Sequence, residues 1–294
     1  MSGQGGWVKV VVEVPHGHLD AASGLLWELG ASGVEIHDGT TMDRVDGATR
    51  AVAYFGGEPV EALELRVAAQ VPELWTAKVS VKPFTDESWK ENWKQFFKPM
   101  QASRRLGVRP PWEARPDWPE EVCELVIEPG LAFGTGTHAT TLLCLGYLDD
   151  LLAQDRAETL LDVGCGSGIL SIAAAKLSPG VAIRCLDVDP EARRVSRENC
   201  VDNGVADAVT VLDGLLDAGT GTAGLVVANI LAHILLRLRE DLARATAPGG
   251  RLLLSGIGAK DEDKLRVAFS ELLTYQERRE RDGWVALLFS RPSA

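Results

Sequence analysis

TLLDVGCGSGILSIA, residues 159–173, has the form of a strand, a glycine turn and a helix. Gly164, Gly166 and Gly168 let the backbone turn sharply and approach a ligand without a Cβ in the way. The helix that begins near Ser167 directs free N–H groups and the positive end of its dipole at that ligand. The stretch therefore predicts an α/β fold with a ligand site at the end of this strand.

The spacing of the glycines helps to identify the ligand. Dinucleotide sites use G-x-G-x-x-G, whereas this chain has G-x-G-x-G followed by Ile169. Asp162, just before the turn, serves a pyrophosphate poorly and suits a ligand with a cationic amino-acid tail. Taken alone, the stretch is equally compatible with an ordinary tight turn.

A second acidic residue, Asp187, favours a ligand site over an ordinary tight turn. The strand predicted at 182–187 ends in Asp187, at the separation expected for consecutive strands of a βαβ unit, where a carboxylate can accept both hydroxyls of a ribose. Asp189 precedes Pro190 and is predicted to cap the next helix. Asp213 ends the third strand and either binds an adenine amine or is a plain loop acid.

The rest of the C-terminal half alternates strands with helices, which predicts a parallel sheet covered on both faces. A terminal hairpin is expected around Asp282 and Gly283. The predicted strands are 159–163, 182–187, 208–212, 224–228, 250–255, 275–281 and 284–290.

The first 85 residues predict a small α+β unit of the split β-α-β-β-α-β, ferredoxin-like kind. Its strands are expected at 7–14, 33–37, 50–55 and 77–84, and its helices at 19–29 and 58–70. Residues 86–130 are predicted to be a linker helix and connecting segment, and residues 131–294 the second domain. Trp89 and Trp93 share one face of the linker helix, either as packing residues or as a binding surface.

With Asp162, the three glycines and Asp187 in the expected places, the chain resembles the seven-stranded, Rossmann-like methyltransferases that use S-adenosylmethionine. Two further stretches narrow the resemblance. The first is EPGLAFGTGTHATT, residues 128–141, whose hydroxyl and N–H groups can bind a polar ligand while Phe133 covers it. The alternative is a surface loop in which Thr140 or Thr141 caps the next helix.

The second stretch is LVVANILA, residues 225–232, which ends the fourth strand where ligands sit in such sheets. The amide oxygen of Asn229 can accept a hydrogen bond from an incoming amine. Related enzymes that methylate planar nitrogens carry Asn-Pro-Pro-Tyr here, whereas this chain has Asn-Ile-Leu-Ala and no aromatic ring to stack. An aliphatic amine therefore fits better.

These stretches together, behind a ferredoxin-like domain, resemble the ribosomal protein methyltransferases of the PrmA type, which act on large-subunit ribosomal protein eleven. The resemblance covers nearly the whole chain and is strongest from 124 to 257. It implies donor binding by Thr141, Gly164, Asp187 and Asn229, and substrate recognition by the N-terminal domain. It also implies that the acceptors are lysine ε-amines and an N-terminal α-amine, methylated up to three times. Ala139 departs from the proline usual in the family.

Methyl transfer requires a neutral amine, because a protonated nitrogen has no lone pair for attack. His138 is the candidate proton acceptor, although it can instead only orient the loop. No metal site is predicted, because His16 and His18 have no carboxylate or cysteine partner.

Composition restricts the partners and the compartment. A net charge of −12 without a Lys/Arg-rich block predicts no direct nucleic-acid binding and suits a basic protein partner, although it can also reflect solubility alone. Five cysteines without a CxxC pair predict reduced thiols in the cytoplasm, and no stretch predicts a membrane span. We expect a monomer.

Two alternative functions remain. One is a methyltransferase acting on another protein or small amine, and the other is a binding module that holds the nucleoside without transfer.

Overall fold

The computed structural model describes residues 7–15, 19–31, 33–37, 49–56, 59–70, 78–84, 97–129, 136–154 and 158–293. The chain divides into two compact units, residues 1–94 and residues 95–294. This division differs from the predicted one, in which the second domain begins at 131. The predicted linker helix with Trp89 and Trp93 lies outside the described residues, as do His16 and His18.

The N-terminal unit has the element order that the sequence predicts. Its four-stranded antiparallel sheet has the order β2-β3-β1-β4, and β1 is central. Alternate residues of β1 are buried, as expected for a strand with one face on a core. The elements are β1 (Trp7–Val14), α1 (Leu19–Glu28), β2 (Gly33–His37), β3 (Thr49–Gly56), α2 (Val60–Gln70) and β4 (Lys78–Phe84).

A small three-stranded sheet opens the second unit. Its strands are β5 (Met100–Gln101), β6 (Leu106–Arg109) and β7 (Cys123–Val126). Leu106, Val108 and Leu125 are buried in the same hydrophobic cluster as the large sheet and its helices. The small sheet therefore belongs to the second unit, because apolar side chains of β6 and β7 pack in its core, and it does not merely connect the two domains.

The large sheet of this unit has seven strands in the order β10-β9-β8-β11-β12-β14-β13. Its first five strands run parallel, while β14 pairs antiparallel with both β12 and β13. The strands are β8 (Thr159–Val163), β9 (Ala182–Asp187), β10 (Val209–Asp213), β11 (Ala223–Asn229), β12 (Thr246–Gly258), β13 (Thr274–Arg281) and β14 (Trp284–Ser290).

Helices cover both faces of this sheet, as predicted. Successive residues of a strand enter different cores: Leu160 packs with α3 and α4, whereas Leu161 packs with α6, α7 and α8. The helices are α3 (Ala139–Gln154), α4 (Ile169–Leu177), α5 (Pro190–Asp202), α6 (Ala232–Arg237), α7 (Arg239–Ala245) and α8 (Glu262–Ser270). Within the described residues, none of the helices is both long and apolar enough to cross a membrane.

The strand bounds agree closely with prediction, with one informative exception. The strand predicted at 250–255 extends over residues 246–258 as β12. It pairs with β11 from Thr246 onward and with β14 as far as Gly258. Backbone pairing with two neighbours therefore lengthens this strand beyond its apolar run.

Candidate active site

The strand order reverses between β8 and β11, which is where ligands bind in open α/β sheets. Val227 of β11 lies opposite Asp162, and Cys185 of β9 lies opposite the same residue on its other side. Asn229 and Asp187 each follow two residues later, so all three polar side chains share one face of the sheet. The register thus brings together Asp162, Asp187 and Asn229, three of the predicted site residues.

The glycine turn after β8 is held by backbone bonds to the neighbouring strand. The N–H groups of Gly164 and Cys165 donate to the Leu186 carbonyl at 2.8 and 3.1 Å. Gly164, Gly166 and Gly168 have positive φ angles of 76°, 54° and 79°, a region that side chains with a Cβ avoid. The predicted need for glycine at these positions is therefore conformational as well as steric.

Asp162 is buried with one carboxylate oxygen occupied and the other not. The Ser171 hydroxyl donates to Oδ2 at 2.7 Å. Oδ1 is buried and accepts no hydrogen bond from the described residues. Burial, with a smaller contribution from the charge of Asp187, raises the pKa of Asp162 to about 7. A cationic ligand group would satisfy Oδ1 and stabilise the ionised form.

Asp187 links the glycine turn to the end of β9. Its Oδ2 accepts from the Gly166 N–H at 2.9 Å, and its Oδ1 accepts from the Asp189 N–H at 3.0 Å. Each carboxylate oxygen can accept a second bond, for example from a ribose hydroxyl. Asp189 caps α5 by accepting from the Glu191 N–H at 2.9 Å, which confirms that prediction.

Asp213, for which the sequence left two roles open, is an exposed residue at the end of β10. It lies opposite Asp187 in the β9–β10 register and forms ion pairs with Arg193 at 3.0 Å and Arg197 at 3.2 Å. Arg193 also donates to the backbone carbonyl of Asp187 at 2.8 Å. Arg193 of α5 therefore connects the ends of β9 and β10, a function that the sequence analysis did not assign to it.

Asn229 and Thr141 meet although 88 residues separate them. The Asn229 amide nitrogen donates a long hydrogen bond of 3.5 Å to the Thr141 hydroxyl at the start of α3. Its amide oxygen is buried and accepts no bond from the described residues. That oxygen is therefore a second unsatisfied acceptor on the ligand-binding face, suited to an amine.

His138 lies at the N-terminal end of α3 and is half-buried. Its Nδ1 is 2.7 Å from the Thr140 hydroxyl and accepts from the Thr140 N–H at 3.3 Å. The ring packs edge-on against Trp284, with 5.1 Å between centroids, and burial lowers the pKa of His138. These contacts orient the start of the helix that carries Thr141. Phe133, the predicted cover of the ligand, lies outside the described residues.

Two residues that hold the turn were missed by the sequence analysis. Asn199 of α5 donates from its side chain to the Ser167 carbonyl at 2.8 Å, and Ser171 of α4 bonds to Asp162. The sequence could have indicated Ser171, because it is a polar residue in the otherwise apolar run ILSIAAA, and the structure shows it fully buried. Nothing in the sequence indicates the role of Asn199, because its partner lies 32 residues away.

Asp162 Oδ1, Asp187 and the glycine turn fit S-adenosylmethionine. Its amino-acid tail carries an ammonium that matches Asp162 Oδ1, and its ribose offers hydroxyls that match Asp187. No cluster of three or more metal-ligating His, Cys, Asp or Glu side chains occurs in the part of the chain that the structure describes.

Comparison with known proteins agrees with this interpretation. The family model described as ribosomal protein L11 methyltransferase (PrmA) matches residues 6–292. A relative from Geobacter metallireducens named ribosomal protein L11 methyltransferase is 40% identical over 302 residues, covering 96% of this chain and 97% of the relative. One of the same name from Pelobacter propionicus is 35% identical over 303 residues, covering 97% of both.

A solved structure supports the fold. The crystal structure of ribosomal protein L11 methylase from Lactobacillus delbrueckii subsp. bulgaricus superposes with a TM-score of 0.61 at 31% sequence identity, covering 67% of this chain and all of that one. The large sheet is therefore the Rossmann-like sheet of the S-adenosylmethionine-dependent methyltransferases, as predicted. Sequence and structure together establish that this chain belongs to the ribosomal protein L11 methyltransferase family, PrmA.

Proposed function

We propose that the protein transfers methyl groups from S-adenosylmethionine to ribosomal protein L11, at lysine ε-amines and at the N-terminal α-amine. The observation that carries the proposal is the pair of buried, unsatisfied oxygens, Asp162 Oδ1 and Asn229 Oδ1, on one face of the sheet. One is suited to the donor and the other to the acceptor. Family membership supports the choice of L11 as the substrate.

On the donor side, Asp162 would bind the ammonium of the amino-acid tail and Asp187 the ribose hydroxyls. Gly164, Gly166 and Gly168 would let the backbone approach the ligand closely, and Thr141 would contribute its hydroxyl. Phe133 would cover the bound donor. S-adenosylmethionine supplies a methyl group already activated on a sulfonium, so the protein has mainly to align the reactants and exclude water.

On the acceptor side, Asn229 Oδ1 would accept a hydrogen bond from the amine and direct its lone pair at the methyl group. The new N–C bond forms as the C–S bond breaks, which leaves S-adenosylhomocysteine, and the nitrogen gives up a proton. The bonds of His138 Nδ1 to Thr140 support a positioning role for this ring more than direct proton transfer. The amine would then lose its proton by way of water.

The N-terminal unit is proposed to be a ferredoxin-like substrate-recognition domain. Its β-α-β-β-α-β order and antiparallel β2-β3-β1-β4 sheet support the fold. A protein substrate gives such a domain a purpose that a small-molecule substrate does not. We further propose that the enzyme acts as a cytoplasmic monomer without direct nucleic-acid binding. The five free cysteines, none of them in a disulfide, and the net charge of −12 support this setting.

The test is transfer of radiolabelled methyl from S-adenosylmethionine into L11 that carries no methylation, followed by peptide mapping of the label. We expect label on lysines and on the N-terminal residue. The control is Asp187→Ala, which should abolish donor binding in a calorimetric titration and abolish transfer. Because Asp187 accepts two backbone hydrogen bonds, this change should also lower the free energy of unfolding by about 1–2 kcal/mol.

Three outcomes would each contradict a part of the proposal. Label on another protein or on a small amine, with none on L11, would retain the methyltransferase and discard the substrate. Tight donor binding with no transfer to any acceptor would favour a binding module. Unchanged donor affinity in Asp187→Ala would remove this residue from the site.

A further inference from the structure

Ile230, next to Asn229 in the chain, lies between two glycines, Gly164 in the turn after β8 and Gly256 in β12. A Cβ built on Gly164 would lie 2.3 Å from Ile230 Cγ2. A Cβ built on Gly256 would lie 2.2 Å from the Ile230 carbonyl oxygen and 2.7 Å from its carbonyl carbon. The Ile230 side chain thus contacts the donor turn, and its backbone contacts β12.

Gly256 lies at an irregularity of β12. The pairing of β12 with β14 shifts register between Leu254 and Ile257, and Gly256 has a φ of 81°. A residue with a Cβ would be strained there, and it would meet backbone atoms that cannot rotate away. The preceding residue, Ser255, pairs with Asn229 and has its hydroxyl 3.4 Å from the Thr140 carbonyl. This point of β12 therefore contacts both the loop after β11 and the start of α3.

We propose that Ile230, held between Gly164 and Gly256, is a positioning residue that sets the separation between the donor turn and the acceptor amide of Asn229. The inference rests on the proposed function, because it specifies how that reaction is aligned. Methyl transfer is sensitive to such spacing: reacting atoms must approach to about 3–3.5 Å, and a misplacement of about 1 Å can cost about 100-fold in rate. Gly164 belongs to the donor turn, but Asp162 and Asp187, which would bind the charged tail and the ribose of the donor, lie outside the wedge. Displacing Ile230 should therefore change the donor Kd less than it changes kcat.

The first variant is Gly256→Ala. A Cβ 2.2 Å from a carbonyl oxygen must force that oxygen away. We expect kcat on L11 to fall about 30- to 100-fold, while the donor Kd from calorimetry changes less than about threefold. Amide hydrogen exchange at residues 229–231 should become faster, because the loop loses its support.

The matched control is Gly180→Ala. Gly180 also has a positive φ, 96°, but a Cβ added to it would meet no atom within 4 Å. This substitution should therefore impose the same kind of backbone strain without displacing a neighbour. We expect Gly180→Ala to lose less thermal stability than Gly256→Ala and to leave kcat and exchange at 229–231 unchanged.

A second pair of variants changes Ile230 itself. Ile230→Val keeps Cγ2, the atom against Gly164, and should retain most of the rate. Ile230→Ala removes that atom and should lower kcat about tenfold at unchanged donor Kd. This pair keeps the inference testable if Gly256→Ala fails to fold.

The outcomes separate the inference from the proposed function. The positioning role would be overturned if both Gly256→Ala and Ile230→Ala kept the wild-type kcat. It would also be overturned if Gly256→Ala and Gly180→Ala lowered kcat by the same factor. If Gly256→Ala exchanged faster at 229–231 but the wild-type enzyme did not methylate L11, L11 would be excluded as the substrate while the structural role of Ile230 would stand. If the wild-type enzyme transferred no methyl group to L11 and Gly256→Ala left exchange at 229–231 unchanged, both the proposed function and the positioning role would be overturned.

Discussion

At the residue scale, the carboxyl group of Asp162 carries an electrostatic cost that a ligand can offset. It is only 1% exposed, and among the described residues its one side-chain hydrogen bond comes from the Ser171 hydroxyl. Burial raises the pKa of Asp162 from 3.8 to about 7. Between these two pH values the carboxyl group is protonated in the folded, ligand-free protein and ionised in the unfolded chain. An ammonium placed at Oδ1 reverses this preference, which couples donor binding to pH.

We predict that donor affinity rises about tenfold between about pH 5.5 and about pH 7, a range in which the α-amino group of the donor stays charged. The sign follows from the raised pKa: the carboxylate that binds the ammonium forms only as the pH approaches 7. For the same reason, the contribution of Asp162 to folding stability is full below about pH 4 and is lost as the pH rises toward 7.

Calorimetric titration with S-adenosylhomocysteine, which keeps the ammonium, measures the first effect. The control is Asp162→Asn, which should bind weakly and without this pH dependence. A wild-type Kd that does not change over the range would place the ammonium away from Asp162.

At the element scale, one side-chain amide bonds both backbone groups of Val126, the last residue of β7. Asn203, at the end of α5, accepts from the Val126 N–H at 2.9 Å and donates to the Val126 carbonyl at 2.7 Å. It also donates to the Asn199 carbonyl at 2.8 Å. Because β7 leads into the segment that ends at Thr141, this amide holds one end of the connection between the small sheet and α3.

We predict that Asn203→Ala lowers the free energy of unfolding by about 2–4 kcal/mol, because both backbone groups of Val126 lose their partner. Chemical denaturation measures the change. The exposed neighbour provides the control: Asp202→Ala should stay within about 0.5 kcal/mol of wild type. Equal effects of the two substitutions would show that the amide does not hold the sheet.

At the scale of the whole molecule, the two units have separate hydrophobic clusters. The N-terminal cluster draws its buried residues from 8–67, whereas the two C-terminal clusters draw theirs from 106–289. The described residues of the donor site all belong to the second unit. Donor binding and substrate recognition are therefore expected to be separable.

We predict that residues 95–294 alone fold and bind S-adenosylhomocysteine with a Kd within about threefold of the full chain, since the donor site and both of its cores are retained. Label transfer to L11 should be lost, because the proposed recognition domain is missing. Circular dichroism, calorimetry and the transfer assay test the three parts. Methylation of L11 at the full rate would remove the recognition role from the N-terminal unit.

The sequence by itself determined most strands of the two units and the glycine turn after β8, but it did not place β5, β6 or β7. The strands at 7–14, 159–163 and 182–187 were predicted with the bounds that the structure has, because β-branched runs and helix periodicity are local properties. The glycine turn and the cap at Asp189 were predictable for the same reason, since each depends on the conformation of a few consecutive residues.

Only the tertiary structure decided which polar groups are satisfied and which stay open for ligands. Asp213 pairs with arginines, whereas Oδ1 of Asp162 and Oδ1 of Asn229 have no hydrogen-bond partner among the residues that the structure describes. The sequence also does not predict that β6 and β7 pack in the second core, or that Ile230 lies between Gly164 and Gly256. The physical reason is that each depends on distances between atoms far apart in the chain, which no local pattern of residues encodes.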